Sequence, residues 1–382
     1  MNTETLDQPI VADVAVSAPA VVIESAAPAV AAVAEGPNPF IALGLDGALV
    51  RAVSDLGYTQ PTEVQAKVIP LAMGSGKADE ASIDLMVSSQ TGSGKTAAFL
   101  LPVLNTLIAQ KAIEAAAEQA EFERQRAQAA ASGEAAPKRA KRKNPMQSRN
   151  FKAAVPGALV LCPTRELAQQ VAQDAIELVK HCKNLRVANV VGGMPYQLQI
   201  AKLQNADLVV ATPGRLLDLQ RSLQIKLDKV QFLVVDEADR MLDLGFADDL
   251  EEVHQMTAQR KQTMMFSATF APRIQQLAMR VMHDGGANVQ KITIATPQQG
   301  HDNIQQKLYW ADHAQHKRKL LDHWLRDTTI NQAIVFASTQ VECDGLAQDL
   351  AEAGFSAAAL HGALSQGLRN RRLRALREGQ IQ

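Results

Sequence analysis

Residues 83–108 read IDLMVSSQTGSGKTAAFLLPVLNTLI, and this stretch decides the fold. Ile83–Val87 is a short apolar run, Ser89–Thr96 is rich in glycine and hydroxyl, and Ala97–Ile108 is long and apolar. Strand, glycine-bearing loop and helix in that order open a parallel β–α unit. Glycines there let backbone N–H groups converge on phosphate oxygens, and the helix N-terminus adds a favourable dipole. Lys95 is placed to meet the β- and γ-phosphates of a nucleotide, and the Thr96 hydroxyl to hold Mg²⁺. Gln90, Thr91, Gly92, Ser93 and Gly94 complete the candidate phosphate loop, with Ser89 standing where the generic pattern has glycine.

Outward from this unit the same alternation repeats. Apolar runs recur at Ala158–Cys162, Val187–Val191, Asp207–Ala211, Phe232–Val235 and Thr263–Phe266, separated by amphipathic segments of helix length. Short apolar runs between helices predict an α/β fold: a parallel sheet with helices on both faces. Compact signatures follow the runs: PTREL from Pro163, TPGR from Thr212, DEAD from Asp236 and SAT from Ser267. Ligands of open parallel sheets bind at the carboxyl ends of strands, so this placement is itself a functional signal. Asp236 and Glu237 end a buried strand, where crowded like charges are costly unless a cation is present. With the phosphate loop nearby, Asp236 reads as a Mg²⁺ ligand through water and Glu237 as the group that orients an attacking water.

These motifs together resemble the DEAD-box RNA helicases of superfamily 2, and the likeness runs from about Phe40 to Gln380. The resemblance implies a RecA-like doubly wound sheet followed by an incomplete second RecA-like domain, and an RNA-stimulated ATPase that unwinds short duplexes locally. It carries an adenine-recognition segment over Gly57–Gln65 (GYTQPTEVQ), with Phe40 upstream and Tyr58 near the base. The Gln65 amide can accept from adenine N6 and donate to N7, which favours ATP over GTP. It also implies RNA contacts from Pro163, Thr164, Arg165, Gly192, Gly193, Thr212, Pro213, Gly214, Arg215 and, in the second domain, Arg369. Short hydroxyls, arginines and amides at helix starts suit phosphates and 2′-hydroxyls. Asp239 is the expected hydrogen-bond partner of Ser267 and Thr269, coupling hydrolysis to strand separation.

The predicted organisation has three parts. Residues 1–36, largely Ala and Val but broken by Asp13, Pro19, Glu24 and Pro28, read as a disordered tail; no Lys or Arg precedes Arg51, which argues against a signal peptide. Residues 37–298 form the first domain, opened by a helix through Leu45, Leu49, Val53 and Leu56 and interrupted by an insertion at 111–150 that starts helical and ends basic. The basic run at 138–149 either meets RNA phosphates or keeps a loop soluble. Residues 299–382 form part of a second domain, with strands at Ile304–Trp310, Ala333–Phe336 and Ser356–Leu360 and helices near His313–Arg326, Val341–Ala353 and Gln366–Arg377. The arginines of that last helix have a solvated face as their alternative reading. The last two motifs of the family, which carry arginines to the γ-phosphate, have no counterpart in these residues, so a non-catalytic ATP- and RNA-binding module is the alternative function.

Bulk properties narrow the classes further. The formal net charge of -1 over 382 residues gives no global field for a polyanion, so any nucleic-acid contact is local. Three cysteines without paired spacing exclude a zinc ribbon and fit a cytoplasmic protein, and the interruptions at Asp13, Pro19, Glu24 and Pro28 argue against a membrane partner. A DNA-directed motor is a further reading, disfavoured by the glutamine segment and the DEAD spelling.

Overall fold

The computed structural model describes residues 38–74, 83–90, 92–132, 152–294 and 305–382. The expected tail, most of the basic run at 138–149, Thr91 and the linker near Pro297–Asp302 lie outside the described residues.

A 3₁₀ turn at Pro39–Leu43 leads into α1 (Gly47–Asp55) and α2 (Glu63–Met73). Asp46 caps α1, accepting from Ala48 N at 2.8 Å, and Gly57 takes φ +78° just beyond it. The sheet then builds from β1 (Leu85–Ser88), β2 (Ala158–Leu161), β3 (Val187–Val190), β4 (Leu208–Ala211), β5 (Phe232–Val235), β6 (Gln262–Ser267) and β7 (Gln290–Thr293). Its order is β3-β4-β2-β5-β6-β1-β7, and every pair is parallel. Successive strand residues feed opposite layers. Leu85, Val87, Val160 and Phe266 pack in one hydrophobic cluster, whereas Met86, Leu159, Leu161 and Met265 pack in the other. Covered on both faces, the central strands are continuously apolar, as the sequence suggested.

The crossovers are α3 (Lys95–Ser132), α4 (Arg165–Leu178), α5 (Tyr196–Leu203), α6 (Pro213–Arg221), α7 (Ala238–Asp243), α8 (Ala247–Met256) and α9 (Pro272–Val281). Two features depart from expectation. The insertion does not begin as a separate helix: α3 runs on through residue 132 as one 38-residue element. Its first half, Ala97 to Leu107, is buried on the sheet, and its alanine- and glutamate-rich second half is mostly exposed. By length and composition α3 could cross a membrane, but that apolar half is core. β7 was missed because only Ile292 of its four residues is buried; an edge strand leaves no continuous apolar run.

Residues 305–382 supply α10 (Ala314–Leu325), α11 (Gln340–Glu352) and α12 (Gln366–Arg377), close to the expected helices. Thr339 and Ser365 cap the last two, accepting from Glu342 N and Leu368 N. The three expected strands are not formed as strands: no described residue from 305 to 382 belongs to a sheet. Residues 333–337 and 356–360 do not pair with each other. Instead Ala333 N donates to Gln382 O, and Gln382 N donates to Ser356 O, each at 3.0 Å. A cavity of about 450 Å³ lies between the two segments, lined by Val335, Leu346, Leu350 and Leu373. Without an adjacent strand, an apolar run has no ladder to join.

Candidate functional site

Because every strand is parallel, all the signatures emerge at one edge of the sheet, and strand order sorts them into two groups. β6, β1 and β5 bring the SAT triplet, the phosphate loop and the DEAD tetrad side by side. β2, β4 and β3 bring PTREL, TPGR and the Gly192–Gly193 turn together on the other side.

In the first group the phosphate loop is held from below. Ser89 N donates to Ser267 O at 3.2 Å, and Ser88 Oγ donates to Ala268 O at 3.0 Å. Gly92 and Gly94 take φ of +80° and +89°, conformations that side chains rarely adopt. A Cβ on Gly94 would also lie 2.6 Å from Gln65 Nε2 and 2.9 Å from Thr62 Oγ1, so glycine is required there twice over. Ser93 Oγ donates to Gln90 O at 2.8 Å, and the buried Lys95 Nζ donates to Ser89 O at 3.1 Å. The lysine is thus folded into its own loop, held by one neutral carbonyl.

Gln65 joins the adenine segment to that loop. It is the N3 residue of a capping box on α2, its Oε1 accepting from Thr62 N at 3.0 Å, while its Nε2 donates to Gly94 O at 3.1 Å. An amide has two donors and two lone pairs, so half of its capacity remains for a base edge. Tyr58 is partly exposed and its hydroxyl pKa is raised by burial and by Asp174. Phe40 needs a correction. It is fully covered within the core beneath α1, so it supports this segment and offers no face to a base.

Asp236 closes the group. Burial raises its carboxyl to a pKa of about 6, with Glu237 and Asp239 adding to the rise and Lys95 opposing it. A 3%-exposed carboxylate beside a lysine is a donor set that a cation would satisfy. Glu237 sits at φ 50°, ψ 54°, a left-handed conformation costly for a residue with a side chain and concentrated at functional positions. The Thr96 side chain is half-buried at the start of α3. The phosphate cradle, the Thr96 hydroxyl at the start of α3 and the buried Asp236 fit a magnesium nucleotide. Cys162, pushed up by burial and by Asp236 and Glu237, is a core atom and no nucleophile. The expected coupling bonds of Asp239 are not made. Ser267 Oγ is buried with no partner among the described residues, and Thr269 points to solvent.

In the second group Thr164 caps α4, its Oγ accepting from Leu167 N at 3.3 Å, and Pro163 is buried at the strand end. Thr212 precedes α6 with no side-chain cap bond, leaving its hydroxyl unspent; Pro213 takes the first helical position, and Gly214 is open. The Arg165 guanidinium lies against the glycine turn: a Cβ at Gly193 would sit 2.8 Å from its Nη1, and one at Gly192 3.2 Å from its Nε and Nη2. Two helix N-termini, a hydroxyl and two arginines are donors of the kind that phosphates accept from.

The profile of the DEAD/DEAH box helicase family matches residues 62–277. This chain belongs to that family. As a DEAD/DEAH box member it is 36% identical over 344 residues to the ATP-dependent RNA helicase SrmB of Escherichia coli, an alignment covering 90% of this chain and 66% of SrmB. It is 33% identical over 345 residues to the RNA helicase CrhR of Synechocystis, covering 90% of this chain and 59% of CrhR. The chain therefore spans less than two thirds of these relatives. Among solved structures, S. cerevisiae Dbp5 bound to RNA and ADP BeF3 superposes with a TM-score of 0.68 at 27% identity, over 90% of this chain and 74% of that one. The α/β sheet described above is the RecA-like architecture of these helicases.

In this family member Arg369 also has partners within the chain. Its guanidinium is 2.8 Å from Glu166 Oε1, and Gln366 Nε2 donates to the same oxygen at 3.1 Å. Gln366 Oε1 accepts from Arg165 Nη1 at 3.5 Å. Arg369 is committed to a carboxylate and joins α12 to α4. Glu166 was read only as a letter of PTREL; its role as the acidic half of this bridge needed a partner 203 positions away.

Proposed function

We propose that this chain binds ATP with Mg²⁺ at the β5–β6–β1 edge and single-stranded RNA at the β2–β4–β3 edge, as part of an RNA-dependent ATPase that opens short duplexes. One observation carries the reading: strand order places the glycine cradle, the buried Asp236 and the orphaned Ser267 hydroxyl side by side. SrmB and CrhR are named RNA helicases, and the Dbp5 structure was solved with RNA and a nucleotide, which supports the same assignment. In this proposal residues 37–298 are one domain and 299–382 part of a second.

Lys95 exchanges the Ser89 carbonyl for phosphate oxygens, gaining charge-assisted bonds in place of a neutral one. The Thr96 hydroxyl and Asp236, the latter through water, would hold Mg²⁺, which would supply charge neutralisation at the phosphates. Glu237 orients the attacking water. Gln65 reads the adenine edge with its remaining donor and lone pair and, through Gly94, reports occupancy to the phosphate loop. Thr212, Arg215, Arg165 and the α4 and α6 N-termini meet successive RNA phosphates.

The test is thermal unfolding with Mg-ATP, followed by turnover with and without RNA. At ligand 100 times Kd the stabilisation is about 2.7 kcal/mol, and Lys95→Ala removes it. No shift in the wild type sinks the nucleotide reading. RNA-stimulated turnover lost in Glu237→Gln establishes catalysis; binding without turnover makes this chain an ATP- and RNA-binding module. Equal stimulation by DNA would redirect the substrate class.

A further inference from the structure

The RNA edge holds an aromatic residue that no motif accounts for. Tyr196 opens α5, three residues after Gly193, and its ring lies under the Arg215 guanidinium, whose Cζ is 5.7 Å from the ring centroid. The Arg215 side chain is only 19% exposed, yet among the described residues it makes no hydrogen bond. Its carboxylate neighbour, Asp218, is 3.8 Å away and mostly in solvent. This cation is packed in place with its N–H donors unspent.

The ring beneath is itself fixed at both ends. Its body packs against the hydrophobic layer that contains Leu216 and Leu217. Its hydroxyl meets Ser222 Oγ just past the end of α6. Ser222 Oγ spends its own proton on Asp218 O at 2.6 Å, so the tyrosine O–H donates to it. Tyr196 therefore ties the helix after the glycine turn to the helix carrying TPGR.

We propose that Tyr196 is a positioning residue for RNA: its ring holds the Arg215 guanidinium in one orientation, so that a backbone phosphate meets a preset donor fork. The inference rests on the RNA-binding reading of this edge. Arginine is otherwise a rotamer-rich side chain, and freezing it before the phosphate arrives removes that cost from binding. The ring face under Arg215 is occupied, so Tyr196 acts through the arginine rather than by stacking a base on that face. Sequence reasoning had no means of finding it, since Tyr196 and Arg215 are 19 positions and a crossover apart.

The experiment measures binding of a labelled single-stranded oligouridylate to the full 382-residue chain between about 50 and 200 mM salt. The proteins are wild type, Tyr196→Phe, Tyr196→Leu, Arg215→Gln and the Tyr196→Leu/Arg215→Gln double variant. Tyr196→Leu should weaken binding about two- to fivefold, the scale of a cation–π contact. It should also lower the slope of log K against log salt by about 0.7, the value of one phosphate contact on a single strand. Tyr196→Phe, which keeps the ring, should keep the wild-type slope, and the double variant should bind no worse than Arg215→Gln alone. Tyr196→Met, which fills the space without a π face, replaces the leucine variant if thermal unfolding shows that variant misfolded. A wild-type slope in Tyr196→Leu or its methionine replacement, or losses that add in the double variant, overturns the proposal alone. Failure of the wild type to bind RNA overturns the RNA reading and this proposal together.

Discussion

Residues 232–235 read FLVV and residues 333–336 read AIVF, yet the first is a fully buried central strand and the second is extended chain outside any sheet. β5 has β2 on one side and β6 on the other, with a helical layer on each face. Residues 333–337 have one backbone bond, from Ala333 to Gln382, and Phe336 is 92% exposed. Apolar β-branched sequence supplies a preference for strand, but the ladder and the covering layers supply most of its stability. Residues 305–382 therefore keep their helices, whose hydrogen bonds are local and whose caps are encoded nearby, while their extended segments remain unpaired.

Hydrogen exchange should expose the contrast most strongly. Amides of Leu159–Leu161 and Leu233–Val235 should be protected about 10³-fold or more beyond those of Ile334–Ala337, because central strands open only with global unfolding. Equal protection in the two segments would mean that the second region is paired in solution.

Phenylalanine truncation should separate the regions nearly as well. Phe266 is buried with its ring 5.2 Å from that of Phe99, so Phe266→Ala should cost about 3–5 kcal/mol in denaturant unfolding. Phe336→Ala should change stability by no more than about 0.5 kcal/mol. A large cost at Phe336 would show that its ring is covered.

The contrast extends to charge, since among the described residues 305–382 bury no carboxylate, whereas Asp236 is 3% exposed. Its folded pKa of about 6 exceeds the unfolded value of 3.8, so the native state holds the extra proton. The stability linked to that proton is present below pH 3.8 and is lost as pH rises through about 6. Asp236→Asn should accordingly stabilise the nucleotide-free protein at pH 8 by on the order of 3 kcal/mol, with the gain vanishing near pH 4. The same variant should lose its response to Mg-ATP. A destabilised Asp236→Asn at pH 8 would show that the charge is already compensated.

The smallest effect is expected where the regions touch. Glu166 and Arg369 are 29% and 20% exposed, and a double-mutant cycle with Glu166→Gln and Arg369→Gln should give a coupling of about 1 kcal/mol. A coupling of zero would leave the two regions without an energetic link at this pair.

Much of the site was legible because its signals are local. The phosphate loop is built by residues within a few positions of one another, so its spacing exposed it, and the segments opening α2, α4 and α6 were legible through the family resemblance, whereas the α2 capping box appeared only in the structure. Phe40 misled because an aromatic beside a motif looks the same whether it faces a ligand or the core. The Arg369–Glu166 pair was not legible because a basic helix does not announce which arginine will find a carboxylate. The missing Asp239 bonds, the polar edge strand β7 and the Tyr196–Arg215 contact all depend on long-range packing.

By itself the sequence determined the β–α alternation, the helix ends and the chemistry of each loop, because those rest on apolar periodicity and hydrogen bonds closed within a turn or two. Only the tertiary structure decided which loops share a site. The chain presents phosphate loop, PTREL, glycine turn, TPGR, DEAD and SAT in that order, whereas the sheet places SAT beside the loop and TPGR between PTREL and the glycine turn. Strand order is fixed by pairing between residues as much as 205 positions apart, such as Leu85 with Gln290, and no local pattern encodes that choice.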